Sequence, residues 1–163
     1  MASAMIHICV AKRLNEKLKR NEKDFFLGSI APDIAKQIGQ TKHKSHFLKP
    51  ELPKNVPDVQ AFIEKYSFEL NQDFCLGYLV HLYTDKYWFD GFLDQLVLDD
   101  CVRLLDGTYV HLNEKTILDI LYGDYTNLNT QLLDLYDLDL SLFYEPVCIP
   151  NSKIEEIPID QLQ

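Results

Sequence analysis

Apolar residues recur at every third or fourth position along most of the chain, and that spacing predicts helices. The first stripe is Ile6, Val10, Leu14 and Leu18, with Ser3 placed to cap it, so a helix is expected over roughly residues 3–20. His7 stands beside the stripe and is expected to point inward. The apolar stretch DFFLGSIAPD follows, and Gly28 and Pro32 interrupt it, which puts Asp33 just past a helix end or at a turn. Residues 36–56, with Gly39, Pro50 and Pro53, read as a loop. A second long helix is expected from Pro57 or Asp58 to about Glu69. A third, capped by Asn71 or Asp73, is expected to reach about Trp88, with GFLDQLVLDDCVRLL continuing the helical spacing beyond it. Asp106–Tyr109, DGTY, reads as a turn. Asn113 opens a helix ending at Gly123, and YTNLNTQLLDLYDL adds one more.

No clean alternation persists, and Asp106–Gly107 is the sole hairpin-like dipeptide, so strands are not expected. The prediction is an all-α, single-domain bundle of about six to eight helices over residues 1–145. From Pro146 to Gln163, with Pro150 and Pro158, the chain reads as an extended or loosely packed tail.

A chain of 163 residues with 47% apolar and 25% charged residues suits one domain with a sizeable core. No apolar run reaches the roughly 18 residues needed to span a bilayer, so no transmembrane segment is expected. Met5–Val10 is too short an apolar run for a signal peptide and lacks a cationic lead, so a cytoplasmic protein is expected. Cys9, Cys75, Cys101 and Cys148 form no CxxC pair, which argues against a thiolate metal site and for reduced core thiols.

Charge is unevenly placed. Residues 1–54 carry 11 basic and 5 acidic side chains, and residues 55–163 carry 5 and 20. The net charge of −9 argues against a nucleic-acid partner. The basic third could attract an anionic substrate; alternatively Lys12, Arg13, Lys17, Lys19 and Arg20 form a solvated helix face.

Some polar residues do not suit the core. His81 and Asp85 lie four apart in the apolar stretch GYLVHLYTDKYW, on one helical face and about 6 Å apart along it. That spacing lets an imidazole nitrogen and a carboxylate oxygen meet at one cation. One turn earlier Gly77 lets another backbone or a ligand come close. Burying an ionised carboxylate unpaired costs several kcal/mol, and a divalent cation would offset that cost. The competing reading is a His81–Asp85 hydrogen bond closing a helix contact. Asp33 could equally be a helix N-cap. His43 and His46 could be exposed, and His7 a satisfied core histidine. Tyr87 and Trp88 could line a pocket or simply pack helices.

Four stretches, IHICVAKRL, FFLGSIAPD, KSHF and FCLGYLVHLYTDKYW, together resemble the zinc-dependent phospholipase C family in its short bacterial branch. They cover roughly residues 5–90, and LYGDYTNLN at Leu121–Asn129 is also similar to that branch. The resemblance implies an all-α fold with a metal site between helices. It implies metal ligands at His7, Asp33, His46, His81 and Asp85, and one or two ions of zinc or another divalent transition metal. Asp85 would bridge to a second ion shared with His7. The secreted members hold a further ion through two histidines and a glutamate downstream, and here only His111 follows Asp85.

Two aspartates and imidazoles make a nitrogen–oxygen site suited to zinc, manganese, iron or cobalt. The expected activity is metal-dependent hydrolysis of a small or lipid-derived phosphoester, with Asp33, or a carboxylate lying behind the ligands, as the catalytic base. The competing expectation is a non-catalytic helical domain that keeps a structural or vestigial metal. Histidine–aspartate phosphohydrolases use an adjacent His–Asp dipeptide, which this chain lacks.

Overall fold

The structure, a computed structural model, describes residues 2–53, 55–144 and 152–162. It is mostly helical. Helix α1 spans Ala4–Leu18, and Ser3 Oγ caps it by accepting from the Ile6 amide at 3.3 Å. Helix α2 spans Glu22–Ile30, capped by Asn21, and runs into a 3-10 turn at Ala31–Asp33. Short helices α3 (Ile34–Gln37) and α4 (Lys42–Ser45) follow, and α4 lies within residues 36–56, which were expected to be a loop. Helix α5 spans Val59–Lys65 behind an Asp58 cap. Helix α6 spans Asp73–Tyr87 and widens into a π-helical segment, Trp88–Leu93.

Helices α2 and α6 form the centre, and their mutual interface is the most extensive in the molecule. Phe25 to Ser29 are all buried, so α2 has no polar face in its middle, as expected of a helix covered on every side. The two backbones come together at reciprocal glycines. A Cβ on Gly28 would lie 2.1 Å from the Phe74 carbonyl oxygen, and one on Gly77 would lie 2.1 Å from that of Phe25. Only glycine permits that approach.

Two apolar clusters flank the crossing. Leu27, Val59, Phe62, Tyr66, Phe74, Tyr78 and Leu82 form the larger, and the Phe62 and Tyr78 rings stack at 5.1 Å. Ile8, Ala11, Phe25, Phe26 and Val80 form the smaller, under α1. Each such large apolar side chain contributes about 1.5–3 kcal/mol through burial.

Three further sequence expectations change. After a last helical turn, α7 (Asp94–Leu96), the chain forms a small antiparallel sheet of β1 (Val97–Leu98), β2 (Cys101–Arg103) and β3 (Tyr109–His111), so the fold is not purely α. Asp99, at φ 52°, closes the two-residue link between β1 and β2. Gly107, at φ 85°, and Asp106, which accepts from the Thr108 amide at 2.9 Å, make the expected turn between β2 and β3. Second, Gly123 does not end a helix: α8 runs unbroken over Glu114–Leu135, capped by Asn113. A mid-helix glycine costs about 1 kcal/mol, too little to stop so long a helix.

Third, the described part of the tail is not a loose arm. Ile154 and Ile157 are buried in the larger cluster, and Tyr66 donates its hydroxyl to Glu156 while accepting from the Glu155 amide at 3.0 Å. Lys65 completes this clasp, 2.6 Å from Glu156. Apolar burial and charge-assisted bonds outweigh the ordering entropy that prolines at 150 and 158 suggested to be unopposed. Pro146, Cys148 and Pro150 lie outside the described residues. Cys9 and Cys75 are buried free thiols, as expected, and burial pushes the Cys75 thiol up to about 12.

Candidate metal centre

The five side chains singled out in the sequence converge between the helices. His7 comes from the second turn of α1, with its ring fully buried. Asp33 ends the 3-10 turn Ala31–Asp33, which has Pro32 at its middle. It makes no capping bond, so the N-cap reading does not hold. His46 follows α4 directly, and its amide closes that helix on the Lys42 carbonyl at 2.9 Å. The Tyr78 hydroxyl donates to the Ser45 carbonyl and pins this corner to α6. His81 and Asp85 lie one turn apart on α6 and are buried.

The hydrogen bonds set the imidazole orientations. His81 Nδ1 lies 2.8 Å from the Ser29 carbonyl oxygen, which can only accept, so Nδ1 carries the proton. Burial, with the neighbouring His7, pushes the His81 pKa well below the ordinary imidazole range, so the ring is neutral. Its Nε2 therefore presents a lone pair to the cluster. His46 Nδ1 is held by the Ser45 hydroxyl at 2.9 Å, which likewise turns its Nε2 inward. The His7 ring stacks on that of His81 at 3.8 Å, and neither of its nitrogens has a hydrogen-bond partner. His7 is thus no satisfied core histidine.

Asp85 is the centre's main acid. Its Oδ1 accepts from the Ala2 amide at 3.0 Å and lies 3.4 Å from His7 Nε2. Its Oδ2 is buried without a hydrogen-bond partner, as is Asp33 Oδ1. Desolvation acts to raise the Asp85 pKa, but His7 and His81 outweigh it and hold the group well below the usual carboxylate range. Asp33 shows the same balance: desolvation is opposed by His46 first, and its pKa is lowered. The His81–Asp85 pair is not a hydrogen bond, because Nε2 and Oδ2 stand 3.7 Å apart and the ring proton goes to Ser29.

These distances suit a cation. Ligand atoms about 2.0–2.1 Å from a tetrahedral zinc ion lie about 3.3 Å from one another. His46 Nε2 is 3.2 Å from His81 Nε2, 3.4 Å from Asp33 Oδ1 and 3.6 Å from Asp85 Oδ2. Two groupings bring ligand atoms within 4.8 Å of one another: His46, His81 and Asp85, and His7, Asp33 and His81. The donor set is imidazole nitrogen and carboxylate oxygen, with the other ring nitrogens of His46 and His81 already held.

His43 and His111 are exposed and stand apart from this cluster. Trp88 packs on Phe92 at 4.7 Å and Tyr125 at 5.8 Å, and Tyr87 is largely exposed. Arg13, Lys17 and Lys19 are exposed, as a solvated helix face requires. The sequence reading missed Lys42, whose ammonium lies 4.0 Å from Asp33 Oδ1. Its spacing of four from His46 was the available signal. It also missed Ser29 and Ala2, which act through backbone groups that no side-chain motif reveals.

Comparison of the chain with family models, curated proteins and solved structures finds no match. No helix among the described residues is long and apolar enough to cross a membrane.

Proposed function

We propose that His7, Asp33, His46, His81 and Asp85 hold one or two divalent transition-metal ions, zinc foremost, and that the protein hydrolyses a phosphoester. The observation that supports this reading is the set of buried polar atoms without a hydrogen-bond partner, Asp33 Oδ1, Asp85 Oδ2 and His7 Nε2, gathered around inward-turned imidazoles at ion-pair distances. Leaving them uncompensated would cost several kcal/mol. The resemblance to the zinc-dependent phospholipase C family at these same positions supports it.

When bound, such an ion polarises phosphoryl oxygens and lowers the pKa of water to about 7. The chain's own residues do the rest. His81, locked by Ser29, and His46, locked by Ser45, fix the ligand geometry. Asp33 is ionised and, with its side chain 19% exposed, is the most solvent-accessible of the five. Its carboxylate takes the proton of the attacking water as the new P–O bond forms and the ester P–O bond breaks.

A competing reading is a non-catalytic domain with a structural metal. It draws on the near-complete burial of His7, His46, His81 and Asp85, since a closed four-ligand site is structural and an open one catalytic.

The test is metal content by plasma mass spectrometry after purification without chelator, beside His81→Ala and Asp85→Ala. About one or two equivalents in the wild type and none in either folded variant is the expected result. A well-folded wild type that holds no metal and refuses added zinc and manganese would sink the proposal. With metal established, Asp33→Asn should lower phosphoester hydrolysis by about 10²–10⁴-fold. Metal-loaded wild type inactive on every phosphoester tried would favour the structural role.

A further inference from the structure

The stretch LYGDYTNLN supplies none of the five side chains of the centre, yet it lies within α8 and meets the surroundings of the centre at two points. Tyr125 and Asn129 stand one turn apart on one face of that helix. Tyr125 is buried against Trp88, three residues beyond Asp85, with the ring centroids 5.8 Å apart. Asn129 Oδ1 accepts from the Ser3 hydroxyl at 3.0 Å, across 126 positions of sequence.

Ser3 uses its one oxygen twice. It accepts from the Ile6 amide at 3.3 Å and gives its proton to Asn129. The first bond fixes Ser3 to the start of α1, and the second ties that start to α8. The residue before it, Ala2, is 2% exposed, and its amide donates to Asp85 Oδ1 at 3.0 Å. The two oxygens of Asp85 are thereby divided. Oδ1 faces the Ala2 amide and His7, whereas Oδ2 lies 3.6 Å from His46 Nε2 and 3.7 Å from His81 Nε2. The terminal torsion of a carboxylate is soft, so a donor on one oxygen is what holds the other in place. That donor sits in the short segment ahead of α1, and such a segment keeps its position when something ties it down.

We propose that Asn129 is a positioning residue of the metal centre. Through Ser3 it holds the Ala2 amide on Asp85 Oδ1, so that Oδ2 stays turned to the two imidazoles and the ion. This inference rests on the metal-dependent reading above.

Zinc affinity of the full chain, measured by competition with a chromophoric chelator, tests it, together with the visible absorption of the cobalt(II)-loaded protein. Asn129→Ala should weaken zinc binding by about tenfold, the lower end of the usual cost of losing a hydrogen bond behind a metal ligand, because Ser3 keeps its bond to Ile6. The cobalt bands, which report ligand geometry, should shift in the same variant, while the far-ultraviolet circular dichroism of the metal-free protein stays that of the wild type. Asn129→Asp keeps the acceptor oxygen and should recover most of the affinity. Ser3→Ala should weaken zinc at least as much as Asn129→Ala, and in that background Asn129→Ala should add nothing. Wild-type zinc affinity and cobalt bands in Asn129→Ala would overturn the inference and leave the metal reading standing, even if that variant melted lower. A full further loss in the Ser3→Ala background would overturn the route through Ser3, and an Asn129→Asp protein as weak as Asn129→Ala would overturn the role of the acceptor. A well-folded wild type that binds neither zinc nor cobalt overturns both readings.

Discussion

Gly77→Ala isolates the contact that sets the geometry of the centre. Its new Cβ would stand 2.1 Å from the Phe25 carbonyl oxygen and 3.0 Å from both the Phe25 carbonyl carbon and the Ser29 amide nitrogen. Ordinary contact begins at 3.4 Å, so α2 and α6 must part by about 1.3 Å at that point. All three obstructing atoms are backbone, so no side chain can swing away. Overpacking of this kind costs about 1–3 kcal/mol, with the upper end fitting a rigid obstruction, and alanine's better helix propensity returns about 1. The expected net loss is about 2 kcal/mol, or roughly 4–8 °C in Tm for a chain of this size. Thermal unfolding of the metal-free protein, followed by far-ultraviolet circular dichroism, measures it. Gly123→Ala in α8 is the control, because nothing lies within 4 Å of its Cβ. That variant should melt about 2–4 °C higher. A Gly77→Ala protein that melts at or above the wild type would refute the close-contact argument.

Two other outcomes are expected. The metal-free protein should lose stability as pH falls below about 6.5: burial depresses the folded-state pKa of His81, so the unfolded state binds the extra proton, at no more than about 1.4 kcal/mol per pH unit for that one group. Urea midpoints that stay level between pH 7 and pH 5 would contradict a neutral, buried His81. The double variant Ile154→Ala, Ile157→Ala should cost about 4 kcal/mol or more by the usual scale of buried aliphatic truncation, read as a lower urea midpoint, and an unchanged midpoint would mean that the segment does not belong to the core.

The site was more legible in the sequence than the second half of the fold. Ser3 before a spacing-four stripe has a local cause, a side-chain oxygen meeting an orphan amide, and α1 begins there. His81 and Asp85 stood out because a carboxylate and an imidazole in an apolar helix demand partners. Asp33 and His46 were recognisable by their company rather than by any local rule. The small sheet was missed because Val97, Leu98, Cys101 and Val102 fit a helix by their spacing, although two short strands can carry the same residues. What decides between them is Asp99, whose positive φ closes a two-residue link, and that is a tertiary choice. Gly123 misled because a helix-breaking preference of about 1 kcal/mol loses to the neighbouring turns. Ile154 and Ile157 were hidden by their prolines, since what buries them is a surface made more than seventy residues earlier in the chain.

The clasp between α5 and residues 154–157 also sets an order of events during synthesis. Chains are made from the N-terminus at about 5–20 residues per second, and early segments fold as they emerge. The faces of Phe62, Tyr66 and Phe74 are therefore presented several seconds before Ile154 and Ile157 exist to cover them. During that interval the nascent chain carries an uncapped aromatic surface, of the kind that chaperones bind and that neighbouring nascent chains stick to. Slow decoding of the last segment would lengthen the exposure without altering a single contact in the finished molecule.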